Sequence, residues 1–509
     1  MPRARRRARA AIAIAIAALA LETRGARGDD DARARAVRCV NAMADATTTT
    51  RRDATTTRRA KTDDERRDAT DRSERVIRRP DARTTSLRIG FGSCNKQTLD
   101  MTLLWPDVAR EEYDAFAWIG DAVYADERVK LANGERTRRY LGEKAHEEAY
   151  ERVKRDEAYA AVRRRADVVG TWDDHDYGFN NAGKHWSRKA FAKKAFLDFL
   201  DEPVGSERRT REGGVWDSVD YVDEASGRRA RVILLDLRWD LEEPDEVSEG
   251  KMMSETQWAW FETQLAAEPK PEVTIVGSGI QVIEAPHLML RPLAPYVEPA
   301  RLVAEGLESW SRVPREQSRL FDTIKRTGAR VVFMSGDVHH GQIAAAAPGC
   351  YLPYKTIDIT SSGFTHTPFR DAKPWPLALF LRLATPKYFR QWILPSYTRW
   401  TDINYGEIEI DWARGAVFAR IKSVGGKVAL EESVTFAELD ENVPDLGFDR
   451  AGCNLTLEMS PKMRAFRIVV FFTWLAGVYA FKFLAPIFVA AYAVRKARRY
   501  ARARGLKQD

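Results

Sequence analysis

The chain has 509 residues, of which 44% are hydrophobic and 14 are tryptophan, so it is long enough to bury a large core. Its net charge of +8 is unevenly spread: residues 1–85 carry +9 and residues 495–509 carry +6, which leaves 86–494 at −7. An acidic body argues against a nucleic-acid-binding face, and only four cysteines argue against a disulfide scaffold.

The amino-terminal segment has the features of a targeting sequence. MPRARRRARA is basic, and the apolar AIAIAIAALAL that follows is too short to span a bilayer comfortably, so we expect residues 1–24 to be a signal peptide. The bias toward Arg, Ala and Thr leaves an organelle transit peptide as the alternative. Residues 25–85 are rich in Arg, Thr and Asp with almost no large apolar residue, and we expect this segment to be disordered.

The body, residues 86–459, alternates short apolar runs with helical stretches. The runs LRIGFGS, FAWIG, DVVGT, RVILLDL, VTIVGSG, RVVFMSG and KTIDITSSG predict buried strands. Helices are predicted over 139–166, 186–200, 254–268 and 315–328, and NYGEIEID with VFARIKSV predicts a closing hairpin. This order indicates an α/β domain, in which ligands bind beyond the carboxyl ends of the strands.

The carboxyl terminus predicts a membrane anchor. Residues 466–494 contain a long apolar stretch, and the basic tail 495–509 that follows is expected to stay cytoplasmic. This topology predicts a single-pass membrane protein with a lumenal or extracellular body, or one in a plastid or other organelle membrane. The alternative is an amphipathic helix docked on the body. Whether Cys350 and Cys453 pair stays open.

Polar residues gather where the predicted strands end. The stretch TWDDHDYGFNN, residues 171–181, places three acids and His175 together, as either a solvated acidic loop or a metal-binding loop would. Four other strand ends carry polar residues too: Cys94, then Asp121 and Tyr124, then Asp236 and Arg238, then Asp337, His339 and His340. A solvated charge run does not explain polar clusters at five strand ends, so the set predicts a metal site.

Each member of this set also has a simpler interpretation when it is taken alone. A single cysteine such as Cys94 is more often a small buried hydrophobe, and Tyr124 alone is more often core packing. Asp236 could pair with Arg238, and His340 is expected to stay outside the ligand set.

The ordered motifs resemble a known family, the PhoD-like (alkaline phosphatase D-type) metallophosphatases of the calcineurin-like metallophosphoesterase superfamily. The resemblance runs over about 86–422 and rests on these segments: FGSCNKQ, WIGDAVYAD, TWDDHDYGFNN, ILLDLRW, IVGSGIQVI, ESW with RVPREQSRL, and VVFMSGDVHHGQ. It implies a two-sheet αββα sandwich with a two-metal site at the sheet edges.

The resemblance also implies roles for individual residues. Cys94 and Tyr124 would hold a ferric ion, and Asp121 would bridge it to a second cation such as Ca²⁺ or another divalent ion. Asp174 and Asn180 would bind the second cation, although Asn181 competes with Asn180 for that role. The site would be closed by Asp337 and His339. The chain departs from the family pattern at Gln317, where an arginine is frequent.

This resemblance implies hydrolysis of a phosphate-ester substrate by a hydroxide that the two cations acidify and that attacks phosphorus in line. Arg238 would stabilise the developing charge, and His175 would donate a proton to the leaving alkoxide. Monoesters and diesters would use the same apparatus. The alternatives are a phosphodiesterase acting on lipid head groups and an inactive metal-binding membrane protein.

Overall fold

A computed structural model describes residues 73–77, 86–131, 136–223, 226–244, 248–283, 308–367 and 397–444. Two large sheets, of eight and six strands, and one two-stranded sheet form its β-structure. Buried side chains from both large sheets belong to one hydrophobic cluster, and helices cover the outer faces. The prediction of a mixed α/β domain with two packed sheets is confirmed.

The strands are numbered in chain order. They are β1 Ser73–Ile77, β2 Ser86–Gly92, β3 Ala115–Ile119, β4 Asp126–Lys130, β5 Arg136–Tyr140, β6 Asp167–Thr171, β7 Asp217–Asp223, β8 Arg229–Leu234, β9 Val273–Ser278, β10 Val331–Ser335, β11 Gly341–Ala346, β12 Thr356–Ser361, β13 Tyr397–Trp400, β14 Tyr405–Asp411, β15 Ala416–Ser423 and β16 Lys427–Thr435.

The α-helices are numbered in the same way. They are α1 Trp105–Arg110, α2 Glu143–Lys154, α3 Glu157–Arg163, α4 Asp174–Tyr177, α5 Lys189–Phe199, α6 Glu207–Thr210, α7 Glu255–Ala266, α8 Pro314–Thr327 and α9 Phe436–Leu439. Three short 3₁₀ segments lie at Met101–Leu103, Trp310–Arg312 and Val424–Gly426.

The six-stranded sheet runs in the order β16-β15-β14-β2-β3-β6, and its last three strands are parallel. Successive side chains of a strand point to opposite faces. In β3, therefore, Ala117 and Ile119 face the other sheet, while Phe116 and Trp118 pack on the outer helices. This alternation explains why a strand that is buried on both faces appears in the sequence as a continuous apolar run.

The eight-stranded sheet runs in the order β1-β7-β8-β9-β10-β12-β11-β13. Its central strands β8, β9, β10 and β12 are parallel to one another. Each of the two sheets thus has a block of parallel strands whose carboxyl ends lie at a common edge. The site described below lies where these two edges meet.

All seven predicted strands and the closing hairpin are confirmed by β2, β3, β6, β8, β9, β10, β12, β14 and β15. The predicted helix over 139–166 is wrong at its start, because β5 extends to Tyr140, and Asp156 caps a second helix after Lys154. Strands β4 and β5 were not predicted, because their residues are mostly charged and the pairing relies on backbone hydrogen bonds.

The disordered segment predicted over 25–85 needs a correction at one place. Residues Ser73–Ile77 form a strand paired in parallel with β7 at the sheet edge, where backbone hydrogen bonds do not require an apolar sequence. The rest of 25–85, the targeting segment 1–24, the predicted span 466–494, the tail 495–509 and Cys453 lie outside the described residues. Within the described ranges, no helix combines the length and the apolar character needed to cross a membrane.

Candidate metal centre

Five strand ends from the two sheets come together at one edge of the molecule. Cys94 follows β2, Asp121 follows β3 and Asp174 follows β6, all in the six-stranded sheet. From the other sheet, Asp337 follows β10 and Ser362 follows β12. The sheets are joined here, since the Cys94 Sγ lies 3.1 Å from the Ser362 Oγ.

The turns that carry these residues are strained. Cys94, Asp121, Asp337 and His339 have φ angles of 58°, 52°, 71° and 54°. Residues other than glycine rarely adopt this left-handed backbone conformation, and each such residue costs of order 1–3 kcal/mol. Four of the six such residues in the described ranges belong to the predicted ligand set, so the fold holds the site in a geometry that local preference opposes.

Two glycines make the close approach of these turns possible. A Cβ on Gly120, whose φ is +80°, would lie 2.4 Å from the Asp173 Cβ, and one on Gly336 would lie 2.5 Å from the Ile119 carbonyl oxygen. Any larger residue would therefore push the turns after β3 and β10 apart.

A cluster of buried acids forms the centre of the site. Ligand atoms of Asp121, Asp174 and His175 all lie within 4.8 Å of one another. Burial, followed by repulsion from Asp174, Asp173 and Asp176, raises the pKa of Asp121 well above its usual value. A bound cation would balance this crowding of carboxylates.

Cys94 and Tyr124 lie beside Asp121 on the β2 side. The Cys94 thiol is fully buried and 3.5 Å from the Asp121 Oδ2. Burial and the charges of Asp121 and Asp337 raise the pKa of Cys94 well above its usual value. Burial and the Cys94 and Asp121 charges likewise raise the pKa of Tyr124. Both groups would need a bound cation to ionise, as metal ligands do.

Asp337 and His339 complete the site from the other sheet. Burial and repulsion from Glu308, Asp173 and Asp174 raise the pKa of Asp337 well above its usual value. Burial and the neighbouring His366 lower the pKa of His339, which is therefore a neutral imidazole, the form that binds metals. The His339 and His366 ring centroids lie 4.5 Å apart.

The imidazole of His175 is held on both sides. Its Nδ1 lies 2.6 Å from the Asp126 Oδ1, and its ring stacks on Tyr124 with centroids 4.0 Å apart. Burial opposes ionisation of Asp126, but His175 and Arg138 outweigh it and lower the Asp126 pKa. Asp126 therefore fixes the ring through Nδ1 and leaves Nε2 for another partner.

Asp176 has a different task from its neighbour Asp174. Its carboxylate accepts hydrogen bonds from the backbone amides of Ala122 and Val123, at 3.2 and 3.0 Å, and from the Tyr150 hydroxyl at 3.2 Å. Burial raises the Asp176 pKa to about 7, although these backbone hydrogen bonds oppose the shift. Asp176 thus holds the turn after β3, and Asp126 is the residue that orients His175.

The two asparagines of the loop are now distinguished. The Asn181 backbone amide donates to the Asp174 Oδ2 at 2.6 Å, and its side-chain oxygen accepts from the Asn180 Nδ2. The described residues make no hydrogen bond to the Asn180 side-chain oxygen. This arrangement agrees with the assignment of the ligand role to Asn180 and leaves that role untested.

The Arg238 guanidinium is buried among carboxylates in this structure. It is 1% exposed, its Nε donates to the Asp173 Oδ1 at 2.5 Å, and its two Nη atoms donate to Glu308 at 3.0 Å each. All three donor nitrogens are therefore engaged by carboxylates. Asp236 accepts from the Arg238 backbone amide at 2.8 Å and does not pair with the guanidinium.

Several buried polar atoms of the site lack a hydrogen-bond partner among the described residues, and a metal would supply one. They are the Tyr124 Oη, Asp173 Oδ2, Asp174 Oδ1 and His339 Nδ1. Leaving a buried polar atom unpaired costs about 1–3 kcal/mol, so such atoms at one place are not a neutral feature of packing. Carboxylates, a phenol, a thiol and an imidazole are ligands that metal cations take in proteins, so the residues present fit metal binding.

The sequence analysis missed four residues that shape this site. They are Asp126, Glu308, Ser362 and His366. A strand end gave a signal for two of them, since Ser362 lies at the end of the predicted strand KTIDITSSG and His366 follows it. Asp126 and Glu308 lie in the motifs WIGDAVYAD and ESW, but their partners are 49 and 70 residues away in the chain, so these contacts could not be predicted. The expectation that His340 is not a ligand agrees with its contacts, because its ring nitrogens face the Val338 carbonyl and the Gln342 side chain.

Comparison with known proteins gives a family match. The model of the PhoD-like phosphatase family matches residues 89–369. A solved structure described as "Structure of PhoD" is 14% identical, with a TM-score of 0.49, and the match covers 71% of this chain and 70% of that one. No curated protein matches the chain.

Proposed function

Because the chain belongs to the PhoD-like phosphatase family, we propose that it is a metal-dependent hydrolase of phosphate esters, acting on monoesters, diesters or both. The observation that supports this best is the set of buried, unpaired donor atoms at the edge where the two sheets meet. A purely structural site would be expected to satisfy these atoms within the protein.

The proposed metals are a ferric ion and Ca²⁺ or another divalent cation. Cys94 and Tyr124 would hold the first, Asp121 would be shared between both, and Asp337 and His339 would close the site. Asp174 and Asn180 would hold the second. When bound, the two cations would supply a nucleophile from water and neutralise charge on the phosphoryl oxygens.

His175 is the proposed proton donor to the leaving alkoxide. Its Nδ1 is fixed by Asp126 at 2.6 Å and its ring by the Tyr124 face, so Nε2 has a defined direction. A positioned imidazole of this kind is typical of general acid catalysis. The closeness of His175 to Asp121 and Asp174 also makes it a possible metal ligand, and the two roles are separated by experiment below.

In this proposal Arg238 acts on the reaction through the acids that it holds, and not by direct contact with the substrate. Its bidentate pair with Glu308 and its bond to Asp173 place one positive charge among the site acids. Burial opposes ionisation of Asp174, but the charges of His175 and Arg238 lower its pKa, so Asp174 is ionised and ready to bind a cation.

The test combines a panel of mono- and diesters with metal analysis of the same purified protein. Hydrolysis that tracks metal content, and a tyrosinate-to-iron absorption band that is lost in Tyr124→Phe, would support the proposal. Tyr140→Phe is the matched control, because Tyr140 contacts His146 outside the centre and should leave the band intact. Metal-loaded protein that hydrolyses no ester would refute the activity.

Membrane anchoring remains a proposal from sequence alone, since 466–494 lies outside the described residues. The apolar length and the basic flank support it. A protease added outside intact vesicles should remove the tail 495–509 and leave the body intact. Digestion of the body would reverse the proposed orientation.

A further inference from the structure

The loop after β2 is fixed by three of its own residues. The Asn95 side chain donates to the Ala122 carbonyl at 3.0 Å, and Gln97 exchanges hydrogen bonds with the backbone of Tyr124 at 3.0 and 2.9 Å. The Lys96 backbone amide donates to the Thr365 Oγ1 at 2.8 Å. Lys96 is therefore carried by a rigid backbone, while its own side chain takes no part in fixing the loop.

The ammonium of Lys96 lies beside Tyr124, one of the predicted metal ligands. Its Nζ is 5.5 Å from the centroid of the Tyr124 ring. Burial lowers the pKa of His366 to about 4, and the charges of Lys96 and Arg128 contribute to the same shift. The Lys96 side chain is half-buried. A group of cations from the β2 loop and the β4–β5 hairpin thus borders one side of the site.

Several other partly buried lysines among the described residues have partners within the protein, either carboxylates or, as for Lys193, backbone carbonyl groups. Lys154 pairs with Asp201 at 2.8 Å, and Lys355 pairs with Glu432 at 2.8 Å. Lys96 makes no hydrogen bond or ion pair through its Nζ to any of the described residues. Its neighbour Asp126 has both carboxylate oxygens taken, by His175, Arg138 and the Asn180 amide.

The position of Lys96 suits the binding of a part of the substrate other than the reacting phosphate. The ammonium lies over the Tyr124 ring, whose hydroxyl would hold metal. The reacting phosphoryl group would be bound by the metals, which leaves the ammonium for another part of the substrate. A cation that is partly withdrawn from water and rigidly carried binds an anion more strongly than a surface lysine does.

The geometry points to Lys96 as the binding group for a second anion on the substrate. The preferred substrates are then phosphate esters whose alcohol carries a carboxylate or a second phosphate. This inference rests on the proposed activity, because it concerns the same site. It assigns Lys96 as a specificity-determining residue, supported by the neighbouring charge of Arg128.

A matched pair of esters tests the inference. 3-Phosphoglycerate carries a carboxylate where glycerol 3-phosphate carries a hydroxymethyl group. In Lys96→Met, the ratio of kcat/KM for the first ester to that for the second should fall roughly 10- to 100-fold, as expected when a charged hydrogen bond is lost. The change should lie in KM, and Lys96→Arg should retain most of the preference. Lys130→Met is the control, because Lys130 is an exposed lysine at the end of β4, and it should leave the ratio unchanged.

A binding experiment decides the question without turnover. Metal-loaded protein is titrated calorimetrically with 3-phosphonopropionate and with propylphosphonate, which differ in the second anion. Wild type should bind the first more tightly, and Lys96→Met should lose that difference. An unchanged ratio, or an equal loss for both ligands, overturns the inference, and the equal loss would assign Lys96 to supporting Tyr124. Wild type that hydrolyses neither ester contradicts the proposed function, and the phosphonate pair still decides the role of Lys96.

Discussion

Two clusters of buried charge among the described residues are built in opposite ways. In the Glu407 cluster, the Glu407 carboxylate accepts from Arg88 at 2.7 Å, Arg420 at 2.8 Å, Lys422 at 3.2 Å and the Tyr113 hydroxyl at 3.0 Å. Burial opposes ionisation, but these cations outweigh it and lower the Glu407 pKa to about 2.

The buried acids of the metal centre have the opposite surroundings. Asp121 is equally buried, its nearest charged neighbours are other aspartates, and its pKa is raised well above the usual value. Both clusters contain acids in a core, so burial alone does not identify a functional site. A functional site is identified by whether the chain itself supplies a cation partner for the buried acid. A buried charge without such a partner is tolerated only where something outside the chain is bound.

The largest expected effect is that of Asp121→Asn. The change removes the carboxylate proposed to bridge both metals, so we expect turnover to fall far beyond the roughly 10- to 100-fold loss that follows removal of a group that only supports a ligand. Metal content should fall with it. Because the substitution also removes repulsion, the metal-free protein should not lose stability.

Metal analysis and thermal unfolding of the chelated protein check both parts of this prediction. Asp358→Asn is a useful control, since that buried carboxylate is hydrogen bonded to Ser335 and to the amides of Val282 and Ile283. It should lose stability and keep its metals. Near-wild-type activity in Asp121→Asn would remove Asp121 from the metal centre.

The second-largest effect is expected for His175→Ala, which distinguishes a role of His175 as proton donor from a role as metal ligand. As a general acid, His175 should contribute about 10²- to 10⁴-fold to the hydrolysis of esters with poor leaving groups. The loss should be much smaller for a nitrophenyl ester, whose leaving group needs no proton, and both metals should stay bound. An equal loss on both substrates, with reduced metal content, would make His175 a ligand.

Glu407→Gln tests how much the Glu407 cluster contributes to the stability of the fold. Removing one partner of a buried ion pair leaves the others uncompensated, so we expect a loss of about 3–5 kcal/mol of unfolding free energy. Glu431→Gln is the matched control, because its carboxylate is 50% exposed and pairs with the same Arg420, and it should cost about 0–1 kcal/mol. Both variants should keep their metals, since neither touches the centre.

The sequence predicted most of the fold for a physical reason. Strands such as β3 and β10 are buried on both faces and therefore appear as apolar runs. Strands β4 and β5 could not be found in this way, because they are charged and are held by backbone pairing. The ligand positions could be predicted because they follow strand ends, whereas the partners of Arg238 and His175 depend on contacts between distant segments. The expected role of Arg238 changed for that reason.

The smallest effect is expected in the pH dependence of stability, and it has opposite signs in the two clusters. Glu407 has a lowered pKa in the folded protein, so its contribution is present at neutral pH and is lost as the pH falls from about 4.5 toward about 2.

In the metal centre, Asp173 and Asp176 have pKa values raised to about 7, mainly by burial, so their protonated forms favour the folded state. The stability of the chelated protein should therefore fall as the pH rises from 5 to 7, by roughly 1–3 kcal/mol. Bound cations would favour the ionised carboxylates of the centre and so reduce this slope. Chemical unfolding with and without chelator at several pH values measures the difference. The same slope in both preparations would show that no cation balances these acids, and the contrast between the two clusters would then not identify a metal centre.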